Sequence, residues 1–209
     1  MTRTFSDAER AAVYRVVGER RDMRHFAGGA GDPVVLRRLL EAFHAAPSVG
    51  LMQPWHVVRV TSAAVRAAIA DLVARERDLT AQELGERAAE FLRLKVEGIG
   101  ECAELLVVSL GPGRDRHVFG RRTMPHMDLA SVACAIQNLW LAARAEDLGM
   151  GWVSMFDPDA LAALLRLPEG AEPVAVLCLG PVEAFYERPM LVEERWAGPR
   201  PLDELLDER

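Results

Sequence analysis

Arg20-Arg21-Asp22-Met23-Arg24 puts three guanidinium groups and one carboxylate within five residues, directly after a segment with helical periodicity. Arginine keeps its charge and offers a planar fork of donors. Three of them so close together can clamp a phosphate while their stems pack on an aromatic ring. The aspartate has no metal-ligand motif beside it, and the surrounding positive charge is expected to keep its pKa low. Taken alone, the pentapeptide also reads as a solvated basic turn. The rest of the chain decides between the two.

The 209 residues suit one compact domain, 1–209, with enough apolar sequence to bury a core. A net charge of −6 with no strong basic stripe argues against nucleic acid as a partner. Cys102, Cys134 and Cys178 lie far apart in apolar runs, a spacing that gives neither a disulfide framework nor a zinc site. They read as reduced, mostly buried thiols of a cytoplasmic protein. Met1 to Arg10 is polar and charged, without the apolar run of a secretory signal. The longest uncharged stretch, Leu129 to Ala143, falls short of the roughly 20 apolar residues of a spanning helix, so no membrane span is expected.

Ser6-Asp7-Ala8-Glu9 has capping-box spacing, and Ala8, Ala12, Val13, Val16 and Val17 recur at helical intervals, so a first helix delivers the chain to Arg20. After Gly28-Gly29-Ala30-Gly31, Asp32 caps a second helix with Pro33 at its first position, burying Leu36, Leu39, Leu40 and Phe43. Pro47 ends it. The uncharged loop that follows offers the Ser48 hydroxyl and the Gln53 amide, groups that can hydrogen-bond the edge of a flat heterocycle. A plain helix-to-strand connection is the alternative. Val57 to Val60 reads as a strand, Ser62 opens a helix, and Thr80-Ala81-Gln82-Glu83 repeats the capping-box spacing and starts another. Ala103 to Leu110 is a buried strand. The basic loop containing Arg114, Arg116, His117, Arg121, Arg122 and His126 is read as solvated in preference to an anion-binding segment.

Asp128 to Leu148 is the most hydrophobic helix and is apolar nearly all round, so it must lie inside the fold or against another subunit. Trp152 to Phe156 and Val174 to Leu179 read as strands, with a short helix from Asp157-Pro158 between them. Beyond Gly180-Pro181 the chain turns to prolines, charges and the aromatics Tyr186 and Trp196, an arm suited to covering a partner subunit. Helices outnumber strands without regular alternation. The expected fold class is therefore α+β, a mainly antiparallel sheet flanked by helices, and not a doubly wound nucleotide fold. No two histidines stand at metal-binding helix spacing, and neither Ser48 nor Ser154 sits in a glycine-flanked elbow. With few tools for covalent catalysis, the chain suits chemistry carried by a cofactor.

Arg20-Arg21-Asp22-Met23-Arg24, Ala46-Pro47-Ser48-Val49-Gly50-Leu51-Met52-Gln53-Pro54-Trp55 and Gly151-Trp152-Val153-Ser154 together resemble the nitroreductase-like flavoproteins. Asp22 and Leu51, where ordinary nitroreductases tend to have serine and asparagine, resemble the branch that makes 5,6-dimethylbenzimidazole. The resemblance implies a homodimer with FMN at the subunit interface. It places Arg20, Arg21 and Arg24 at the ribityl phosphate and ring edge, and Ser48, Met52, Gln53 and Val153 along the flavin. Arg200, in Arg200-Pro201-Leu202, matches a closing motif whose basic residue helps hold the phosphate. It further implies that reduced FMN, supplied by a separate NAD(P)H-dependent flavin reductase, is consumed with O2 to give dimethylbenzimidazole, the lower ligand of cobalamin, and erythrose 4-phosphate. Asp22 and Ser154 match the positions tied to that fragmentation. The alternatives are an NAD(P)H-dependent nitroreductase that retains its FMN, and a flavin-binding or delivery protein without turnover.

Overall fold

The computed structural model describes residues 4–209; the first three residues of the polar N-terminal stretch lie outside it. In chain order the helices and strands are α1 (Asp7–Glu19), α2 (Pro33–His44), β1 (Trp55–Arg59), α3 (Ala63–Glu83), α4 (Ala88–Phe91), β2 (Glu104–Leu110), α5 (Met127–Ala145), β3 (Gly149–Val153), α6 (Pro158–Leu165), β4 (Glu172–Gly180) and α7 (Met190–Glu193). The four strands form one sheet in the order β1-β2-β4-β3, antiparallel at every pairing. This is the expected α+β architecture.

Both faces of the sheet are covered, which explains the nearly continuous apolar runs of β2 and β4. Leu106, Val108, Leu110, Leu177 and Leu179 meet α2 and α5 on one face. Alternate residues Leu105, Val107, Val176 and Cys178 point to the other, against Ile69 and Val73 of α3 and Leu161 of α6. The caps read from sequence at Ser6, Asp32 and Asp157 are formed: Ser6 makes a full capping box, Asp32 accepts from the backbone of Val34 and Val35, and Asp157 accepts from Ala160.

Several expectations are corrected. Thr80 starts no helix, because α3 runs unbroken from Ala63 to Glu83 and carries Thr80 in its last turn. The basic loop is only partly solvated: Arg114 and Arg121 both pair with the buried carboxylate of Asp128 at 3.1 Å, and Arg114 also reaches Glu172 at 2.9 Å. Part of the C-terminal arm packs on its own chain, with the Trp196 ring against Phe91 and the Arg87 guanidinium 3.6 Å above it, while Leu202, Leu205 and Leu206 stay exposed and open to a partner subunit. The helix read as apolar all round, α5, buries Val132, Ile136, Leu139 and Trp140, yet leaves Leu129 and Cys134 exposed. No residue of α1 is buried, and Val13, Tyr14 and Val17 stand open at 58%, 75% and 50%. Among the described residues no helix is long and apolar enough to cross a membrane.

Candidate functional site

The Arg20–Arg24 pentapeptide lies along the edge of β3. The Met23 amide donates to the Met150 carbonyl at 2.9 Å, and Asp22 forms an isolated parallel bridge with Met150. Asp22 and Arg24 then hold the two backbone groups of Trp152 between them. The Trp152 amide donates to Asp22 Oδ1 at 3.0 Å, and Arg24 Nη2 donates to the Trp152 carbonyl at 2.8 Å. The same Nη2 donates to Asp22 Oδ2 at 2.7 Å, which closes the ring of contacts. Tyr186 braces it from the arm, its hydroxyl accepting from the Arg24 amide at 3.2 Å and lying 2.7 Å from His25 Nδ1.

Close approach of these two segments requires a glycine at 151. A Cβ there would overlap the Met23 carbonyl oxygen and stand 2.6 Å from Arg24 Nη1. Gly151→Ala is therefore expected to cost about 1–3 kcal/mol in a denaturant titration, because the added methyl pushes the pentapeptide off β3. Unchanged stability would contradict the packing described.

The pentapeptide faces a cavity of about 310 Å³. Asp22, Arg24 and Ser154 line it together with the apolar side chains of Leu84, Phe91 and Leu94 and, from the arm, Trp196, whose ring packs against Phe91. Val153 contributes main chain, since its side chain is buried in the sheet core. An apolar cleft lined with aromatic rings and also by a carboxylate, a guanidinium and a hydroxyl fits a flat heterocycle carrying polar edges.

The pKa of Asp22 is raised, against the sequence expectation. Desolvation by the surrounding protein is the largest influence and outweighs the opposing pull of Arg24, the Trp152 amide and Arg20. Its side chain still shows 42% exposure toward the cavity, so the push is tempered by water and grows when a ligand closes that opening.

The three arginines have different duties. Arg20 stacks over the Trp140 ring at 4.7 Å, and its guanidinium makes no hydrogen bond among the described residues, so its whole fork is available. Arg24 Nη1 is buried without a hydrogen-bond partner. Arg21 is committed to the carbonyls of Gly18, Arg20 and Glu187 and tethers the arm. Only its Nε is left without a partner.

Ser48, Met52 and Gln53 do not line the Asp22 cavity. Their loop is nevertheless built with care. Leu51 and Gln53 both have left-handed backbone (φ 53° and 48°), strain of the kind found at ligand sites, and Gly50 adopts the same region (φ 55°) without that cost. Ser48 Oγ accepts from the Gln53 amide at 3.0 Å, and the buried Ser131 hydroxyl of α5 accepts from the Val49 amide at 3.0 Å. Arg200 also stands away from the cavity, beside Glu204. Sequence reading missed Trp152, whose main chain joins Asp22 to Arg24, and Trp140, whose indole donates to the Arg21 carbonyl at 3.1 Å. Neither role has a signal in sequence, because both depend on which strand edge the pentapeptide meets.

The model of the nitroreductase family matches residues 17–181, and the chain belongs to that family. Within it, the chain is 39% identical over 194 residues to a 5,6-dimethylbenzimidazole synthase of Rhodobacter capsulatus, covering 92% of this chain and 94% of that protein. It is 41% identical over 184 residues to the 5,6-dimethylbenzimidazole synthase of Rhodospirillum rubrum, covering 87% of each. The fold is similar to that of a BluB-like flavoprotein from Clostridium difficile 630, with a TM-score of 0.72 at 18% identity over 94% of this chain and 98% of that one.

Proposed function

We propose that this chain is a 5,6-dimethylbenzimidazole synthase, converting reduced FMN and O2 to dimethylbenzimidazole, erythrose 4-phosphate and the oxygenated pyrimidine fragment of the flavin ring. The single observation that carries the reading is the carboxylate of Asp22 lining the aromatic cleft, held by Arg24 and Trp152 and lifted in pKa by burial. A reductase that only passes hydride has no need of a proton-holding acid there, whereas cleaving the ring and side chain of a flavin requires several proton transfers. The relatives named as synthases cover most of their own length and most of this chain, which supports the same assignment.

The flavin supplies the electrons and the carbon skeleton; the chain supplies position and protons. Arg20, with its fork unengaged above Trp140, and Arg24 are assigned to the phosphate and ring edge, with Arg21 securing the segment between them. Asp22 receives and returns protons at the ribityl hydroxyls. The hydroxyl of Ser154, which lines the same cavity, orients the departing fragment. Ser48, Met52, Gln53 and Arg200 are assigned to the remaining flavin contacts, supplied from a second copy of the chain. Support for that homodimer lies in surfaces one copy leaves bare: the face of α1, Leu129 of α5, Leu51, and Leu202, Leu205 and Leu206 of the tail. Val13→Glu, on an exposed face, is expected to leave the protomer folded and to shift sedimentation toward monomer with loss of FMN binding. A variant that stays dimeric and binds FMN normally would remove α1 from the interface.

A nitroreductase in which FMN survives turnover is the reading to separate. Steady NAD(P)H oxidation by the purified chain alone, with FMN intact, would favour it and count against the synthase. Reduced flavin is assigned to a separate reductase, so the chain alone is expected to oxidise NAD(P)H negligibly.

A further inference from the structure

A second cavity, of about 340 Å³, lies behind the candidate site. Leu94 and Val96 line this cavity and the Asp22 cavity alike, so one short stretch of chain divides the two. Three cations, Arg77, Arg93 and Lys95, face it with one carboxylate, Glu97, in a protein whose net charge is −6. The carboxylates nearby are already engaged: Glu97 accepts from the Ile99 amide, and Glu101 takes Lys95 at 2.5 Å.

The two guanidinium groups are not fully used. Arg77 donates through Nη2 to the Leu92 carbonyl, while its Nε is buried without a hydrogen-bond partner. Arg93 makes no side-chain hydrogen bond or ion pair among the described residues, and the charge of Glu90 lies within electrostatic reach of it. Beneath them the surface is apolar, formed by Ala70, Val73, Leu94 and Val96.

We propose that this cavity binds the phosphate group of a small phosphorylated organic molecule. Two guanidinium forks with spare donors suit a tetrahedral dianion better than a carboxylate, which one fork satisfies, while Lys95 stays paired with Glu101. The apolar floor accommodates the carbon portion, and the volume exceeds what a bare phosphate fills. Such a ligand would sit against the back of Leu94 and Val96, one residue layer from the Asp22 cavity.

The rival is simple phosphate binding at Arg20 in the flavin site, so the titration is run in the Arg20→Gln background. Inorganic phosphate and glycerol 3-phosphate are titrated calorimetrically at low chloride, with glycerol as the uncharged control. Glycerol 3-phosphate is expected to bind, inorganic phosphate to bind more weakly, and glycerol not at all. Arg93→Gln, at an exposed position that does not threaten folding, and Arg77→Gln are each expected to weaken binding about tenfold. Absence of binding in the Arg20→Gln protein, or affinities unchanged by both second substitutions, would overturn the proposal. FMN affinity measured on the wild-type chain reports separately on the flavin reading.

Discussion

Asp22→Asn lowers dimethylbenzimidazole formation by about 100-fold or more while FMN still binds. General acid–base groups contribute about 10²–10⁴-fold, and asparagine keeps the shape and one acceptor for the Trp152 amide while losing the exchangeable proton. FMN affinity, followed by flavin fluorescence quenching, is expected to change little, since Arg20 and the aromatic walls are untouched. Product formation at the wild-type rate would remove Asp22 from the chemistry. The same carboxyl leaves a trace in stability. Its folded pKa lies above its unfolded one, so the folded chain holds the proton to higher pH. Stability is then greatest below the ordinary carboxylate range and falls as pH rises through the interval up to the raised value. Asp22→Asn should flatten that part of the pH–stability curve. The slope is modest, because the side chain retains 42% exposure to the cavity.

Asp128→Ala is expected to be the most destabilising single change, about 3–5 kcal/mol, or a fall in Tm of about 10 °C. Asp128 is buried at the first turn of α5, accepts from the Leu129 amide at 2.7 Å and pairs with both Arg114 and Arg121. Those two guanidiniums are themselves largely enclosed, with 13% and 12% side-chain exposure, so deletion removes their shared buried partner and leaves Arg114 only the exposed Glu172 and Arg121 only the exposed Asp115, 3.7 Å away. The loss should spread to the flavin. The basic loop carries Phe119 over Gly50, where a Cβ would come within 3.2 Å of its ring, and so supports the strained Ser48–Gln53 segment. Weaker FMN binding should accompany the lower Tm. A loss under about 1 kcal/mol would mean that the ion cluster is better hydrated than its burial indicates.

The sequence was most legible where a local rule acts alone. Asp32-Pro33 announces the start of α2 through a side-chain cap and a preset φ, and both are present. The β2 and β4 runs read as buried because both sheet faces are covered. Reading failed where a long-range partner decides. The spacing at Thr80 is correct for a cap, but an ongoing helix supplies the backbone acceptors first. Arg114 and Arg121 look like solvated charge until α5 brings Asp128 beneath them. For Asp22 the neighbouring arginines are visible in the chain, and the desolvation that outweighs them is not. The three motif stretches were legible as a set. That Asp22, Arg24 and Ser154 share one cavity while Ser48 and Gln53 stand elsewhere follows only from the folded chain.

The most direct test of the central claim is a single turnover with chemically pre-reduced FMN, excess protein and air-saturated buffer, with the small molecules quantified by mass spectrometry. One dimethylbenzimidazole is expected for each FMN lost, with formation slowed about 100-fold or more when Asp22→Asn replaces the wild-type chain. Quantitative recovery of intact oxidised FMN from the wild-type protein would contradict that claim and return the chain to the flavin-retaining reductases.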